Sequence, residues 1–129
     1  MTNVKSTKSN DVSIQELVSK ARIAQKDYEL FTQEKVDAIV RDIGKFVYDN
    51  AEPLARMAVQ ETEMGSFEDK ILKNKSKARV IWNNLKDKKS RGVIGEDNYS
   101  NLVFVAKPMG VVAAVTPVTN PIVTPMCNG

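Results

Sequence analysis

The sequence of 129 residues contains no histidine and a single cysteine, Cys127. Histidine is the most frequent general base in enzymes and the commonest metal ligand, so neither role can be filled by it here. Zinc sites built from cysteine and histidine are excluded for the same reason, and no metal site is predicted. One thiol cannot form an internal disulfide, and a lone cysteine is typical of a reducing compartment, so we expect a cytoplasmic protein.

Long apolar runs and a strong charge imbalance are also missing. No apolar stretch approaches the roughly 18 residues that a membrane-spanning helix needs, and the polar start "MTNVKSTKSNDVS" lacks the apolar centre of a secretion signal. The formal net charge of +3 is too small and too dispersed to predict a nucleic-acid-binding protein. The basic run "KDKKSRG" at 86–92 could be an anion patch, but such runs usually form solvated turns. We therefore expect neither a membrane nor a nucleic acid as partner.

Apolar residues at helical spacing fill the first two thirds of the chain, behind a polar tail at 1–10 that is predicted to be disordered. Serine followed three residues later by an acidic residue marks two helix starts, at Ser13 and Ser66. Asn50 is predicted to cap a third helix, and Gly65 to end it. The four predicted helices are 13–30, 33–49, 51–64 and 67–87. The last of them is expected to turn inward Phe67, Ile71, Ala78, Ile81, Trp82 and Leu85.

The last third of the chain has the composition of strands. Two short β-prone pieces, near 93–94 and 102–106, surround a turn-rich middle. A continuous apolar run follows over 111–115 within a strand predicted at 111–116, and strands buried on both faces of a parallel sheet have this pattern. The fold class predicted from these patterns is α/β, with a helical region that leads into a buried strand.

A short turn, Thr116 to Asn120, follows this predicted strand. In open α/β sheets, ligands bind at the carboxyl ends of the strands, which makes the turn a candidate site. Pro121 suits the first position of a helix, with Asn120 as its capping residue. Alternatively, the Asn120 amide could donate a hydrogen bond to a developing oxyanion. The sequence pattern alone leaves both roles open.

Cys127 carries the single thiol of the sequence and is therefore a candidate nucleophile. It lies about two turns into the helix predicted after Pro121, and no base is near it in the sequence. A small buried cysteine that packs as an apolar residue is therefore favoured over a reactive one.

Four segments resemble the family of CoA-acylating aldehyde dehydrogenases. They are "FTQEKVD" (31–37), "ETEMGSFEDKILKN" (61–74), "IWNNLKDKKSRGVI" (81–94) and "KPMGVVAAVTPVTNPIVTPMCN" (107–128). The resemblance covers about residues 14–128, and the matches occur in the family's order. It implies that the run 111–116 is the first strand of a Rossmann-like nucleotide-binding domain of the aldehyde dehydrogenase fold, with residues 11–129 forming the N-terminal part of that domain.

The resemblance also implies a reaction and a set of site residues. An aldehyde, NAD or NADP, and coenzyme A would give acyl-CoA and the reduced cofactor, through a cysteine thiohemiacetal and thioester. Asn120 matches the asparagine of the family's oxyanion hole. Thr116, Pro117 and Val118 match the turn along the bound nicotinamide cofactor, largely through main-chain atoms.

The family's catalytic cysteine is expected more than a hundred residues beyond this turn, and Cys127 does not match it. The resemblance therefore implies an N-terminal piece, incomplete at its C-terminus and inactive alone, of a subunit that forms homodimers or larger assemblies. "VYDNAE" (47–52) and "TNPIVTPMCN" (119–128) are most similar to members that act on succinate semialdehyde. Acetaldehyde-specific members and the aldehyde half of bifunctional aldehyde–alcohol dehydrogenases are alternatives, and so is a non-catalytic helical module that needs a partner.

Overall fold

Helices make up most of the structure, a computed structural model that describes residues 13–129. The predicted tail at 1–10 lies outside the described residues. Four helices come first and are followed by two antiparallel strands and a short helix. In chain order the elements are α1 (Ile14–Tyr28), α2 (Gln33–Asp49), α3 (Ala51–Thr62), α4 (Phe67–Leu85), β1 (Gly92–Asp97), β2 (Leu102–Ala106) and α5 (Val123–Asn128).

Side-chain caps fix the starts of three helices. Each cap is a hydroxyl that accepts a hydrogen bond from the main-chain N–H three residues later, which satisfies a donor that the helix itself leaves unpaired. The three pairs are Ser13 with Glu16 at 3.2 Å, Thr32 with Lys35 at 3.3 Å and Ser66 with Asp69 at 3.2 Å. The capping roles predicted for Ser13 and Ser66 are thus present in the structure.

Helix α3 differs from the prediction at both ends. Asn50 precedes the helix, but its side chain makes no capping bond and instead donates to the Phe46 carbonyl at 2.9 Å. At the other end α3 stops at Thr62, because Glu63 adopts a left-handed conformation with φ of 53°. Gly65, predicted to end the helix, lies beyond it with φ of 76° and shapes the turn into α4.

Helix α4 packs against both α2 and α3 and is the central element of the bundle. Its buried face consists of Lys70, Asn74 and Ala78, spaced four residues apart on one side of the helix. This differs from the predicted inward set, in which only Ala78 is fully buried, and Leu85 is exposed. The difference arises because the buried face of α3 consists of alanines. Their small side chains let α4 pack close to α3.

The contact between α3 and α4 is close and polar at its centre. Ala51 and Ala55 of α3 have no exposed surface, and Asn74 is only 2% exposed. The Asn74 Nδ2 atom donates a hydrogen bond to the Ala51 carbonyl at 3.3 Å. A buried amide without such a partner would be destabilising, so this bond fixes the register of the two helices.

The hairpin formed by β1 and β2 is tied to the start of α2. The Gln33 Oε1 atom accepts hydrogen bonds from the main-chain N–H groups of Ser90 at 2.8 Å and Arg91 at 3.0 Å. The Arg91 guanidinium donates in turn to the carbonyls of Tyr28 and Glu29. The basic run at 86–92 is therefore a turn whose end anchors the hairpin, while its lysines are exposed.

The hairpin itself is antiparallel, with an irregularity between Val93 and Gly95, and both of its faces are largely exposed. At the tip, the Asp97 carboxylate accepts hydrogen bonds from the N–H groups of Tyr99 and Ser100, at 3.0 and 3.3 Å. The Ser100 hydroxyl first, and then these two main-chain bonds, lower the pKa of Asp97 below its usual range.

No strand forms over 111–116, where the sequence predicted one. The segment passes along α1 and borders a groove with Leu17, Val18 and Ala21, but its apolar side chains are exposed, and Val115 is 92% exposed. A strand requires neighbouring main-chain groups as hydrogen-bond partners, and residues 13–129 supply none here. Apolar composition indicated the strand, but it cannot by itself provide those partners.

We expect Asn74→Ala to lower the free energy of unfolding by about 1–3 kcal/mol, since the change removes a buried hydrogen bond and leaves a small void. Urea denaturation followed by the fluorescence of Trp82, the only tryptophan, measures this. Asn84→Ala on the exposed side of α4 is the matched control and should change stability by no more than about 0.5 kcal/mol. Equal stability of the two variants would contradict the role of Asn74 in the helix contact.

Candidate functional site

The candidate site is the turn Pro117–Asn120, between the extended segment and α5. The Asn120 N–H donates to the Pro117 carbonyl at 3.0 Å, which closes the turn. From α4, the Lys73 Nζ atom donates to the Thr119 carbonyl at 3.2 Å. One hydrogen bond thus shapes the turn from within, and a second ties it to the central helix.

The side-chain amide of Asn120 has no hydrogen-bond partner among the described residues. Its Oδ1 atom is buried and unpaired, although the residue as a whole is half-buried. Its Nδ2 atom donates no bond to residues 13–129 either. An amide next to a fixed turn with its N–H groups unused has the chemistry required of an oxyanion donor.

The capping role predicted for Asn120 is wrong in this structure. Helix α5 begins at Val123, its N-terminal cap is Ile122, and no side-chain capping bond is made. Pro121 is correspondingly not the first residue of the helix; with Ile122 it forms a second turn. Pro121 and Ile122 are half-buried, and Val123 at the start of the helix is the one fully buried residue of α5.

Lys73 is a residue of the site that the sequence analysis missed. Burial is the main cause that lowers its pKa, and repulsion from Lys70 and Lys77 lowers it further. Lys70 is itself 7% exposed, which is rare for lysine. The available signal was the spacing of Lys70 and Asn74, which puts two polar residues four positions apart on the same face of the helix as Ala78.

Thr116, Pro117 and Val118, the residues matched to the cofactor turn, lie in a stretch that is neither helix nor strand. All three are exposed. They lie just before Asn120 in the chain, and the Pro117 carbonyl accepts the hydrogen bond that closes the turn.

Cys127 does not pack as a buried residue, in contrast to the prediction. It lies on α5 with its side chain exposed. The six residues of α5 bury one side through Val123, and the opposite side faces outward. Cys127 makes no hydrogen bond with a possible base among the described residues, so nothing here prepares it as a nucleophile.

Within residues 13–129, no group of three or more acidic or cysteine side chains is arranged to hold a metal ion. None of the helices in this part of the chain has the length and apolar character needed to cross a membrane.

The chain is similar in sequence to known aldehyde dehydrogenases. The chain is 59% identical over 120 residues to succinate-semialdehyde dehydrogenase (acetylating) of Clostridium kluyveri. The aligned region covers 93% of this chain and 26% of the relative. It is 45% identical over 114 residues to sulfoacetaldehyde dehydrogenase of an Acholeplasma species, with 87% and 24% covered. The chain thus spans about a quarter of the length of these relatives.

A solved structure of an aldehyde dehydrogenase is also similar to this chain. The crystal structure of a probable aldehyde dehydrogenase from Listeria monocytogenes EGD-e superposes with a TM-score of 0.82 at 38% identity, covering 87% of this chain and 25% of the other. Residues 2–128 match the model of the aldehyde dehydrogenase family. The fold, the relatives and the family match agree, and the chain belongs to the aldehyde dehydrogenase family.

Proposed function

We propose that these residues form part of a CoA-acylating aldehyde dehydrogenase. The reaction would convert an aldehyde, oxidised NAD(P) and coenzyme A into acyl-CoA, reduced NAD(P) and a proton. The observation that carries the proposal is the unpartnered Asn120 amide at a turn held by two hydrogen bonds. The identity of 59% to an acetylating dehydrogenase supports the same chemistry.

The role of Asn120 is to stabilise negative charge on the aldehyde oxygen. Attack by a cysteine thiolate turns the carbonyl into a tetrahedral centre, and its oxygen becomes an oxyanion. A donor already in place at that oxygen lowers the energy of the transition state more than that of the substrate. In the family resemblance the thiolate belongs to a cysteine outside these 129 residues, so the chain contributes the donor and not the nucleophile.

NAD or NADP fits beside this donor at Thr116, Pro117 and Val118. These residues are exposed and belong to no helix or strand, which leaves main-chain atoms accessible to a ring laid along them. The cofactor supplies a hydride acceptor, and the chain's own residues supply the surface that orients it. Coenzyme A is the acyl acceptor and the second co-substrate.

Succinate semialdehyde is the substrate that we propose, because the relative with 59% identity is named for it. Acetaldehyde, as in acetylating dehydrogenases and the aldehyde half of bifunctional aldehyde–alcohol dehydrogenases, is the alternative. Exposed apolar residues of the hairpin, such as Val103, Phe104 and Val105, favour a homodimer or larger assembly that covers them. The exposed thiol of Cys127 fits the reducing cytoplasm.

We expect residues 1–129 alone to give no NADH with succinate semialdehyde and coenzyme A, since they lack an activated nucleophile. A chimera in which they replace the matching part of the Clostridium kluyveri relative should form NADH only when both substrates are present. Absorbance of NADH and detection of the acyl-CoA product measure the reaction. Turnover by the isolated chain, or a folded chimera without activity, would contradict the proposal.

In that chimera, Asn120→Ala should lower kcat by about a hundredfold or more, the range for loss of one oxyanion donor. In the isolated chain 1–129 the same substitution should leave the melting temperature close to that of the parent, because the amide makes no bond with the described residues. Asn83→Ala, on the exposed side of α4, is the control and should leave kcat unchanged. An unchanged kcat with a lower melting temperature would show instead that Asn120 is structural.

A further inference from the structure

A small basic cleft lies beside the turn Pro117–Asn120. It has a volume of about 310 Å³ and is bounded by the turn Met64–Ser66, by the first two turns of α4, and by Thr119. Lys70 and Lys73 both line it, and Asp69 is the one carboxylate on its wall. The cleft is distinct from the segment Thr116–Val118, none of whose residues borders it.

Lys70 is the residue that needs an explanation. It is 7% exposed, yet it has no carboxylate within 4.0 Å and no hydrogen bond to the residues that the structure describes. Its side chain runs back over the turn before α4, since a methyl group added at Gly65 would lie 3.5 Å from Lys70 Cε and 4.0 Å from Nζ. The stem of the Lys70 side chain is buried while its ammonium opens into the cleft, where no carboxylate lies within 4.0 Å of it, so this position favours an anion there.

Two further positive features converge on the same space. The Lys73 ammonium is held at the cleft wall by its bond to Thr119, and its pKa is lowered first by burial and then by repulsion from Lys70. The N-terminus of α4, capped by Ser66, adds the positive end of the helix dipole. Against these stands the single Asp69 carboxylate, so two ammonium groups and one carboxylate leave an excess of positive charge.

We propose that this cleft binds an oxyanion, with Lys70 and Lys73 as its ligands. Lysine is a point charge that does not distinguish phosphate from carboxylate, so both the phosphate of a nucleotide co-substrate and the carboxylate tail of an aldehyde are sources of this chemistry. The volume accommodates either group. The site depends on charges within the described residues and not on the proposed function, and its failure would leave the oxyanion role of Asn120 intact.

The test is a titration of isotope-labelled chain 1–129 with inorganic phosphate, at constant ionic strength set by chloride, followed by amide chemical shifts. We expect saturable shifts at Gly65, Ser66 and Thr119. Lys70→Met should weaken binding at least tenfold, and Lys73→Met should weaken it as well. Lys86→Met, an exposed lysine just beyond α4, is the matched control and should bind phosphate like the parent.

Parallel titrations separate the two sources. Succinate in place of phosphate tests a carboxylate, while NADP and coenzyme A test phosphates carried by a nucleotide. Binding of any of these that Lys70→Met weakens supports the site. The absence of saturable shifts, equal shifts with chloride alone, or unchanged binding by a Lys70→Met variant whose circular dichroism matches the parent would each overturn it. If Lys70→Met fails to fold, the same comparison is made with Lys73→Met.

Discussion

The close contact between α3 and α4 is the interaction on which the rest of this structure depends. Two alanines without exposed surface, Ala51 and Ala55, let α4 approach, and Asn74 joins the helices by a buried hydrogen bond. The residue before it, Lys73, reaches the turn Pro117–Asn120. Because neighbouring positions on one helix hold the bundle and the candidate site, the position of the turn follows from the packing of α4. A shift of α4 along α3 would move the turn as well.

That arrangement explains how a turn without regular secondary structure can be held in place. The segment before it, 111–116, has no strand partner, and the helix after it has six residues. The fixed points are the bond from Lys73 to Thr119 and the burial of Val123, which lie on either side of Asn120. Two anchors on opposite sides restrict the backbone of an intervening residue, and a restricted backbone is what a preorganised donor needs.

The sequence predicted well the features that depend on local chemistry. The capping roles of Ser13 and Ser66 and the four-helix succession were accessible, because a cap and an apolar stripe involve residues only a few positions apart. The strand at 111–116 was predicted wrongly for this chain, since strand formation depends on partners distant in sequence. The burial of Lys70 and the bond of Lys73 to Thr119 also depend on distant contacts. Asn120 was already a candidate from the turn pattern, which left two roles open, and the family resemblance favoured the oxyanion role because it contains information on distant contacts that composition lacks.

The side-chain amide of Asn120 can take two orientations. A carboxamide has an acceptor end and a donor end, and a half-turn about its last bond exchanges them. Here one end is buried without a partner. Catalysis requires the donor end to face the substrate, so the buried acceptor end needs a donor of its own to hold that orientation. Residues 13–129 place the backbone of Asn120 but supply no such donor. The proposed donor role of Asn120 therefore requires a group outside residues 13–129 that holds its amide in that orientation.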